Sequence, residues 1–568
     1  MKKCAFRVCA ALLSLLIGCV PMRQTAFGNL YAFVGRDIPE NPPAHTALSF
    51  SELPFLPTDP ALLTDRIARL SARVDAGEGT PAGWQTELES LYGMLGELES
   101  DAALAYVRHC LDTEDAAWAS RAERLETALD GLYASLNGLA LRLSELPDLK
   151  RRYSPQTLSA IQKAARLYDP SVQPLLIEEQ RILAEYDALC TSFSIEYEGE
   201  RWDEQRISAD RELPFAEWYA IRQAFDTSFS QEAGTLYLEL ISLRRQIADA
   251  LGFSDVSSYR YALYDRDYTP AQAAGACEAA RDRLAPLYRR VQKRTAEDRE
   301  ILMLAMPKRS EGEWLAAVRE VIESVDPALC EPWEYMVSHG MLDVSRSETK
   351  LPGSYTTYFS TYGAPFLYLT WEDSYADPLT LLHEFGHYAS YYFRGDAADA
   401  LDLAETDSQG LELLAIPAYD RLFGNRADEA KAVKLCDMLY AILSGCACDA
   451  FEQAAYDLEQ PNYEQLCTLF ERLCRDYGLD TAGFAAATWT RIPHLFRAPG
   501  YYISYASGAI GALSLYAVAI ESPTRAARAY RTLLTRKNSE RRGVLRRCGL
   551  TDFLSDDTIA RIAELYEE

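Results

Sequence analysis

Along most of the chain apolar residues recur at intervals of three and four, the spacing that lines one face of an α-helix. Residues 29–58 are the exception near the start: proline-rich and without a period, they read as a tether. The helical pattern sets in at Asp59-Pro60, with Leu63, Ile67, Leu70 and Val74 on one stripe. Leu125, Leu129, Leu132, Leu136, Leu139 and Leu143 then alternate steps of four and three, which predicts a coiled-coil-like helical hairpin held by packing alone. Two stretches break the helical period. "SIEYEGERW" (194–202) is strand-like around a Glu-Gly turn, and "GSYTTYFSTYGAPFLYLTW" (353–371) is rich in β-branched and aromatic residues. Helices resume after each, and no internal repeat or low-complexity segment appears. The pattern therefore predicts a mainly α protein with a small β element.

Composition adds scale and rules out some partners. The chain has 568 residues, 48% of them hydrophobic, enough for a large core and two or more domains. A net charge of −27 argues against nucleic acid and against an electrostatic grip on anionic lipid. The first residues, "MKKCAFRVCAALLSLLIGC", combine two lysines with a short apolar run, as an export signal does. The run ends in Leu16-Ile17-Gly18-Cys19, which resembles a bacterial lipoprotein box with Cys19 as the acylated residue. A plain signal peptide cut after Ala26-Phe27-Gly28, or an uncleaved anchor, would fit the same residues. The longest later apolar run, "GAIGALSLYAVAI", has 13 residues and is short for a membrane span. Of 13 cysteines, ten follow Cys19 at irregular spacings, which is no disulfide scaffold, and Cys446 and Cys448 read as buried small apolar residues.

Candidate chemistry is concentrated in "LTLLHEFGHYASYYF" (379–393), which holds two of only six histidines. Asp377 as N-cap, Pro378 as the first helical residue and Gly395 as the stop predict one helix between them. His383 and His387, four apart, share a face, so both imidazoles can reach a common point about 2 Å from each ring nitrogen. Glu384 lies about 100° round the helix, where it suits a base better than a ligand. A catalytic zinc needs a third protein ligand and an open position. Downstream, "LDLAETDSQGLELL" (401–414) has helical spacing and carries Asp402, Glu405, Asp407 and Glu412. Glu405 and Glu412, seven apart, share a face, so one could bind metal while the other orients a histidine. An ordinary acidic helix would show the same period.

HEFGH followed by "ETDSQGLE" resembles the M3 family of zinc metallopeptidases, which includes thimet oligopeptidase and oligoendopeptidase F. Its pattern is HExGH and then E-x-x-S-Q-x-x-E. The likeness extends to "LRRQIADALGFSDVSSYRYALYDRDYTPAQ" (243–272), to the β-rich patch and to "RIPHLFRAPGYYISYASG" (491–508), and covers roughly residues 120–560. It implies helical lobes around a deep substrate channel, with a small β-sheet beside the HExxH zinc site. It also implies one zinc ion, with Glu405 as third ligand and Glu412 behind it, and Glu384 as general base. His494 and Tyr505, then Tyr501 and last Tyr502, would be oxyanion donors. Strand 365–371 would offer a free edge to a peptide backbone. Three features depart from the family: the loop from His387 to Glu405 is short, Asp407 replaces a small residue or proline, and Ser390 replaces a histidine. The short loop keeps Asp402 as the other candidate ligand. The expected organisation is an export signal (1–18), a tether (19–58), an N-terminal helical domain (59–215) and a zinc metallopeptidase domain (216–568). The expected substrates are oligopeptides, with a lipid anchor at Cys19 facing the periplasm or cell exterior and no obligate protein partner. A metallocarboxypeptidase or dipeptidase on the same fold, and a non-enzymatic peptide-binding lipoprotein, are the competing readings.

Overall fold

The computed structural model describes residues 44–567 apart from 152–154, 168, 210–212, 305–306, 396–400, 483–485, 537–539 and 556. The expected export signal, Cys19 and most of the tether lie outside the described residues. Asp59 caps helix α1 (Pro60–Ala76) by accepting from Ala61 N, and Gly77, at φ 68°, ends it. Helices α2 (Pro81–Leu111) and α3 (Ala116–Glu145) form the expected hairpin. The stripe of Leu125, Leu129, Leu132, Leu136, Leu139 and Leu143 on α3 is buried with Leu88, Leu91, Leu95 and Leu98 of α2. After α4 (Gln173–Ser192), strands β1 (Ser194–Tyr197) and β2 (Glu200–Asp203) pair antiparallel. Glu198 and Gly199 turn between them with φ of 52° and 83°, as a tight hairpin turn demands. Long helices α5 (Phe215–Ala250) and α6 (Pro270–Leu304) follow.

The second sheet comprises β3 (Leu342–Asp343), β4 (Ser354–Phe359) and β5 (Ala364–Leu369), in the order β3-β5-β4. This corrects the expectation that strand 365–371 has a free edge. β5 is the middle strand, antiparallel to β4 and parallel to β3, and all six of its residues are buried. The two residues of β3, paired with Leu367 and Tyr368, are too few to leave a period in the sequence. β4 stands at the edge of the sheet instead.

The remaining helices used below are α7 (Asp377–Arg394), α8 (Leu401–Leu414), α9 (Ala427–Asp457), α10 (Pro493–Arg497) and α11 (Ile503–Glu521). By length and composition α11 could cross a membrane, with a mean hydropathy of 1.6, yet 78% of that window is buried against α8 and α9. It is a core helix. Cys446 and Cys448 of α9 are buried free thiols, as expected of small apolar residues.

One hydrophobic core runs from Leu53 to Ile562 and crosses residue 215 without a break. A small satellite of Trp202, Ile207, Ile221 and Phe225 lies under β1 and β2. Residues 44–58, counted with the tether, lie against the second sheet. Thr46 N donates to Tyr362 O and Phe50 N to His339 O, both at 2.9 Å, and Leu53 is buried. The tilted ring contact of Phe50 with Phe366, with centroids 4.3 Å apart, offsets the proline-rich composition that makes this stretch look unstructured.

Candidate metal centre

Helix α7, which carries the candidate histidines, is fixed at both ends. Asp377 is the first helical residue and not the expected N-cap, a place that Ala376 takes. Its carboxylate fastens the preceding turn, accepting from Ser374 N at 2.8 Å and from Ser374 Oγ at 3.0 Å, Pro378 follows it in the first turn, and Gly395, at φ 70°, ends the helix. Leu381, Leu382, Phe385, Tyr388 and Ala389 anchor its apolar side in the core. His383 and His387 look the other way and are half-buried.

Two glycines set the distance between the helices. A Cβ on Gly386, the glycine of HEFGH, would lie 2.6 Å from Ser408 Cα and 2.8 Å from Asp407 O on α8. A Cβ on Gly508 of α11 would lie 2.4 Å from the Cβ of Glu405. Only hydrogen at both positions lets α7, α8 and α11 approach closely enough to bring Glu405 to the histidines. His383, His387 and Glu405 then each offer a ligand atom within 4.8 Å of one another. His383 Nε2 and Glu405 Oε2 are 3.9 Å apart.

The donor set fits a divalent cation. Two imidazoles and a carboxylate suit zinc. Glu405 Oε2 is buried with no hydrogen-bond partner among the described residues, a cost that a cation would remove. Burial pushes the Glu405 carboxyl up to about 7, and the charges of Glu384 and Glu412 push the same way against His383 and the Tyr501 hydroxyl. Burial also holds His387 well below the usual imidazole range, helped by the His383 and Arg536 charges. Its neutral ring is the form that binds metal. For His383 burial acts downward too, but the Glu412 bond and the charges of Glu412, Glu384 and Glu405 outweigh it and raise the group.

Glu412 lies behind His383 as the seven-residue spacing allowed. Its Oε1 is 2.9 Å from His383 Nδ1. A carboxylate only accepts, so Nδ1 carries the proton and Nε2 keeps its lone pair for the ligand position. The second carboxylate oxygen of Glu412 accepts from Lys434 of α9. Lys434 was not legible in the sequence, because nothing local marks a lysine that pairs across 22 residues.

The general-base candidate Glu384 is fully buried, and Thr356 Oγ1 of β4 lies 2.9 Å from both its Oε2 and its carbonyl oxygen. Tyr501 donates to Glu405 Oε1 at 2.7 Å, which ties its hydroxyl to the proposed third ligand. Tyr505 OH is 3.3 Å from His494 Nε2, and both residues are buried. Tyr502 has its ring edge-on to His494, with a hydroxyl that burial pushes well above the usual phenol range. Asp402, the other candidate ligand, is committed elsewhere: Arg266 Nη1 donates to it at 2.8 Å and Ser507 Oγ at 2.6 Å. Buried Arg244 braces α10, donating to Glu179 Oε1 at 2.7 Å and to the carbonyls of Leu495 and Phe496 beside His494.

No family model and no curated protein sequence matches the chain. Solved structures do. One assigned to oligoendopeptidase F superposes with a TM-score of 0.78 at 23% identity, covering 92% of this chain and 98% of its own. The chain has the oligoendopeptidase F fold. Pz peptidase A with an inhibitor gives a TM-score of 0.77 at 20% identity over 91% and 99% of the two chains. An oligoendopeptidase F assignment from Bacillus anthracis str. Ames gives 0.74 at 20% identity over 92% and 98%. Within the oligoendopeptidase F fold, two of the sequence departures answer each other. Ser390 Oγ donates to Asp407 Oδ2 at 2.7 Å, and Arg536 Nη1 donates to both Asp407 oxygens at 2.8 Å. The small hydroxyl at Ser390 leaves room for a buried carboxylate, and the arginine neutralises it. Part of the short loop, residues 396–400, lies outside the described residues.

Proposed function

We propose that the protein is a zinc-dependent endopeptidase that cleaves internal bonds of short unfolded oligopeptides. The observation that carries this reading is the convergence of His383, His387 and Glu405 within 4.8 Å, with Glu384 next to the first ligand in sequence. Its support from outside the site is the fold shared with structures named oligoendopeptidase F and Pz peptidase A. Zinc held by these three residues would act as a Lewis acid at the scissile carbonyl and lower the pKa of the attacking water. Glu384 takes the proton from that water and passes it to the leaving amine. Glu412 fixes the His383 tautomer, and Tyr501 holds Glu405 in its ligand orientation. Tyr505 and His494 donate to the oxygen on which negative charge develops. β4, an edge strand beside α7, pairs with the peptide backbone in place of 365–371. Cys19 anchors the chain by lipid on the outer side of a membrane, a reading carried by the lipoprotein-like box alone. Detergent partitioning of the mature chain, lost in Cys19→Ala, tests it; a freely soluble mature chain beginning at Asn29 contradicts it.

The activity is tested with an internally quenched peptide blocked at both ends. Cleavage at an internal bond, abolished by a chelator and restored by zinc, is expected. Cleavage only of peptides with a free end would assign an exopeptidase instead. No cleavage of either kind would leave a peptide-binding protein.

A further inference from the structure

We propose that Thr356 is the positioning residue for the general base. Its hydroxyl fixes the Glu384 carboxyl where that group meets the attacking water, and it suits the carboxyl both before and after proton transfer. The inference rests on the reading of Glu384 as base. Thr356 sits on β4 opposite Leu367, between the buried Tyr355 and Thr357, and is itself half-buried. Side chains alternate along a strand, so Thr356 presents its hydroxyl on one face while its two neighbours take the other. That hydroxyl meets two acceptors at the same distance, 2.9 Å: Glu384 Oε2 and the Glu384 carbonyl oxygen.

A threonine hydroxyl has one proton and two lone pairs. While Glu384 is a carboxylate, the proton can be given to Oε2. Once Glu384 has taken a proton from water on Oε1, Oε2 is the C=O oxygen of the acid and still accepts from Thr356, which leaves the new O–H free for the leaving amine. Thr356 keeps one proton throughout, and the only net transfer is from water to Glu384. The bond between Thr356 and the carboxyl is therefore present on both sides of the step. Because Glu384 is shielded from bulk solvent, water cannot freely replace this partner. A glutamate has three side-chain torsions, and a fixed partner at Oε2 holds the carboxyl within the narrow range that proton transfer needs.

A stapling role would need only the carbonyl bond between β4 and α7, and the test separates the two. Zinc-loaded full chains carrying Thr356→Val, Thr356→Ser, Glu384→Gln and Thr356→Val with Glu384→Gln are assayed on the blocked peptide, with zinc content measured in each. Losing a hydrogen bond to a charged group predicts a kcat about 10- to 100-fold lower in Thr356→Val, with KM and zinc content near those of the parent. Thr356→Ser should recover most of the rate. In the Glu384→Gln background Thr356→Val should cost little more, because the two side chains act as one unit. Near-normal kcat in Thr356→Val, equal losses in the Ser and Val variants, or an undiminished loss in the Glu384→Gln background would each overturn the inference and leave the endopeptidase reading intact. Full activity in Glu384→Gln alone would overturn the reading of Glu384 as base and this inference with it.

Discussion

Replacing Tyr501 by phenylalanine removes one oxygen and separates two roles that the sequence left together. The hydroxyl donates to Glu405 Oε1 at 2.7 Å, and Oε2 has no hydrogen-bond partner among the described residues. The ring contacts survive the change: the Tyr501 centroid lies 5.4 Å from that of His494 and 5.3 Å from that of Tyr505. What is lost is one hydrogen bond to a buried carboxylate, worth about 1.5–3 kcal/mol. If that bond supports the ligand, zinc should dissociate about 10- to 100-fold more readily. Competition with a chromophoric chelator near neutral pH measures the dissociation constant directly. At saturating zinc, kcat should fall much less than the affinity does. Tyr505→Phe should show the reverse, with unchanged zinc affinity and kcat lower by about 10²–10³. An unchanged dissociation constant in Tyr501→Phe together with a kcat loss of that size would refute the assignment and make Tyr501 an oxyanion donor.

Three further outcomes follow from the same geometry. Zinc at the proposed site would require the ionised Glu405, whose pKa is raised to about 7, so apparent affinity should fall about tenfold for each pH unit below 7; the raised His383 acts in the same direction, and a flat profile from pH 5 to 7 would contradict both. Gly386→Ala forces a methyl to 2.6 Å from Ser408 Cα and should cost about 1–3 kcal/mol in thermal unfolding while weakening zinc binding; an unchanged Tm would show that α7 and α8 can separate freely. Lys434→Met leaves the buried Glu412 carboxylate without its cation and should destabilise the fold by about 3–5 kcal/mol, partly restored by adding Glu412→Gln; a neutral effect in calorimetry would remove Lys434 from the support of His383.

The parts of the fold legible in the sequence are those whose signal is local. The period of the α3 leucines, the Glu198-Gly199 turn and the Pro378 and Gly395 boundaries of α7 each depend on neighbours a few residues away. The helical face shared by Glu405 and Glu412 was readable for the same reason, although which carboxylate met the histidines was not. That choice depends on Gly508 of α11, about a hundred residues downstream, which lets Glu405 approach, and on Arg266 and Ser507, which occupy Asp402. Pairing of β5 with both neighbours was hidden because β3 has two residues. Lys434, Thr356 and Arg536 escaped notice because each acts through one long-range contact and leaves no pattern around it. Residues 44–58 misled in the opposite direction, since prolines and missing periodicity describe a segment without its own core, and this one uses the core of the sheet beneath it.

The central claim is that Glu384 moves a proton and does not hold the metal. Glu384→Gln keeps the size of the side chain and removes its basicity. Elemental analysis of the purified variant, run beside the blocked-peptide assay, measures both consequences in one preparation. The account predicts one zinc per chain with kcat reduced by several orders of magnitude. Loss of zinc along with activity, or activity near that of the parent chain, would contradict it.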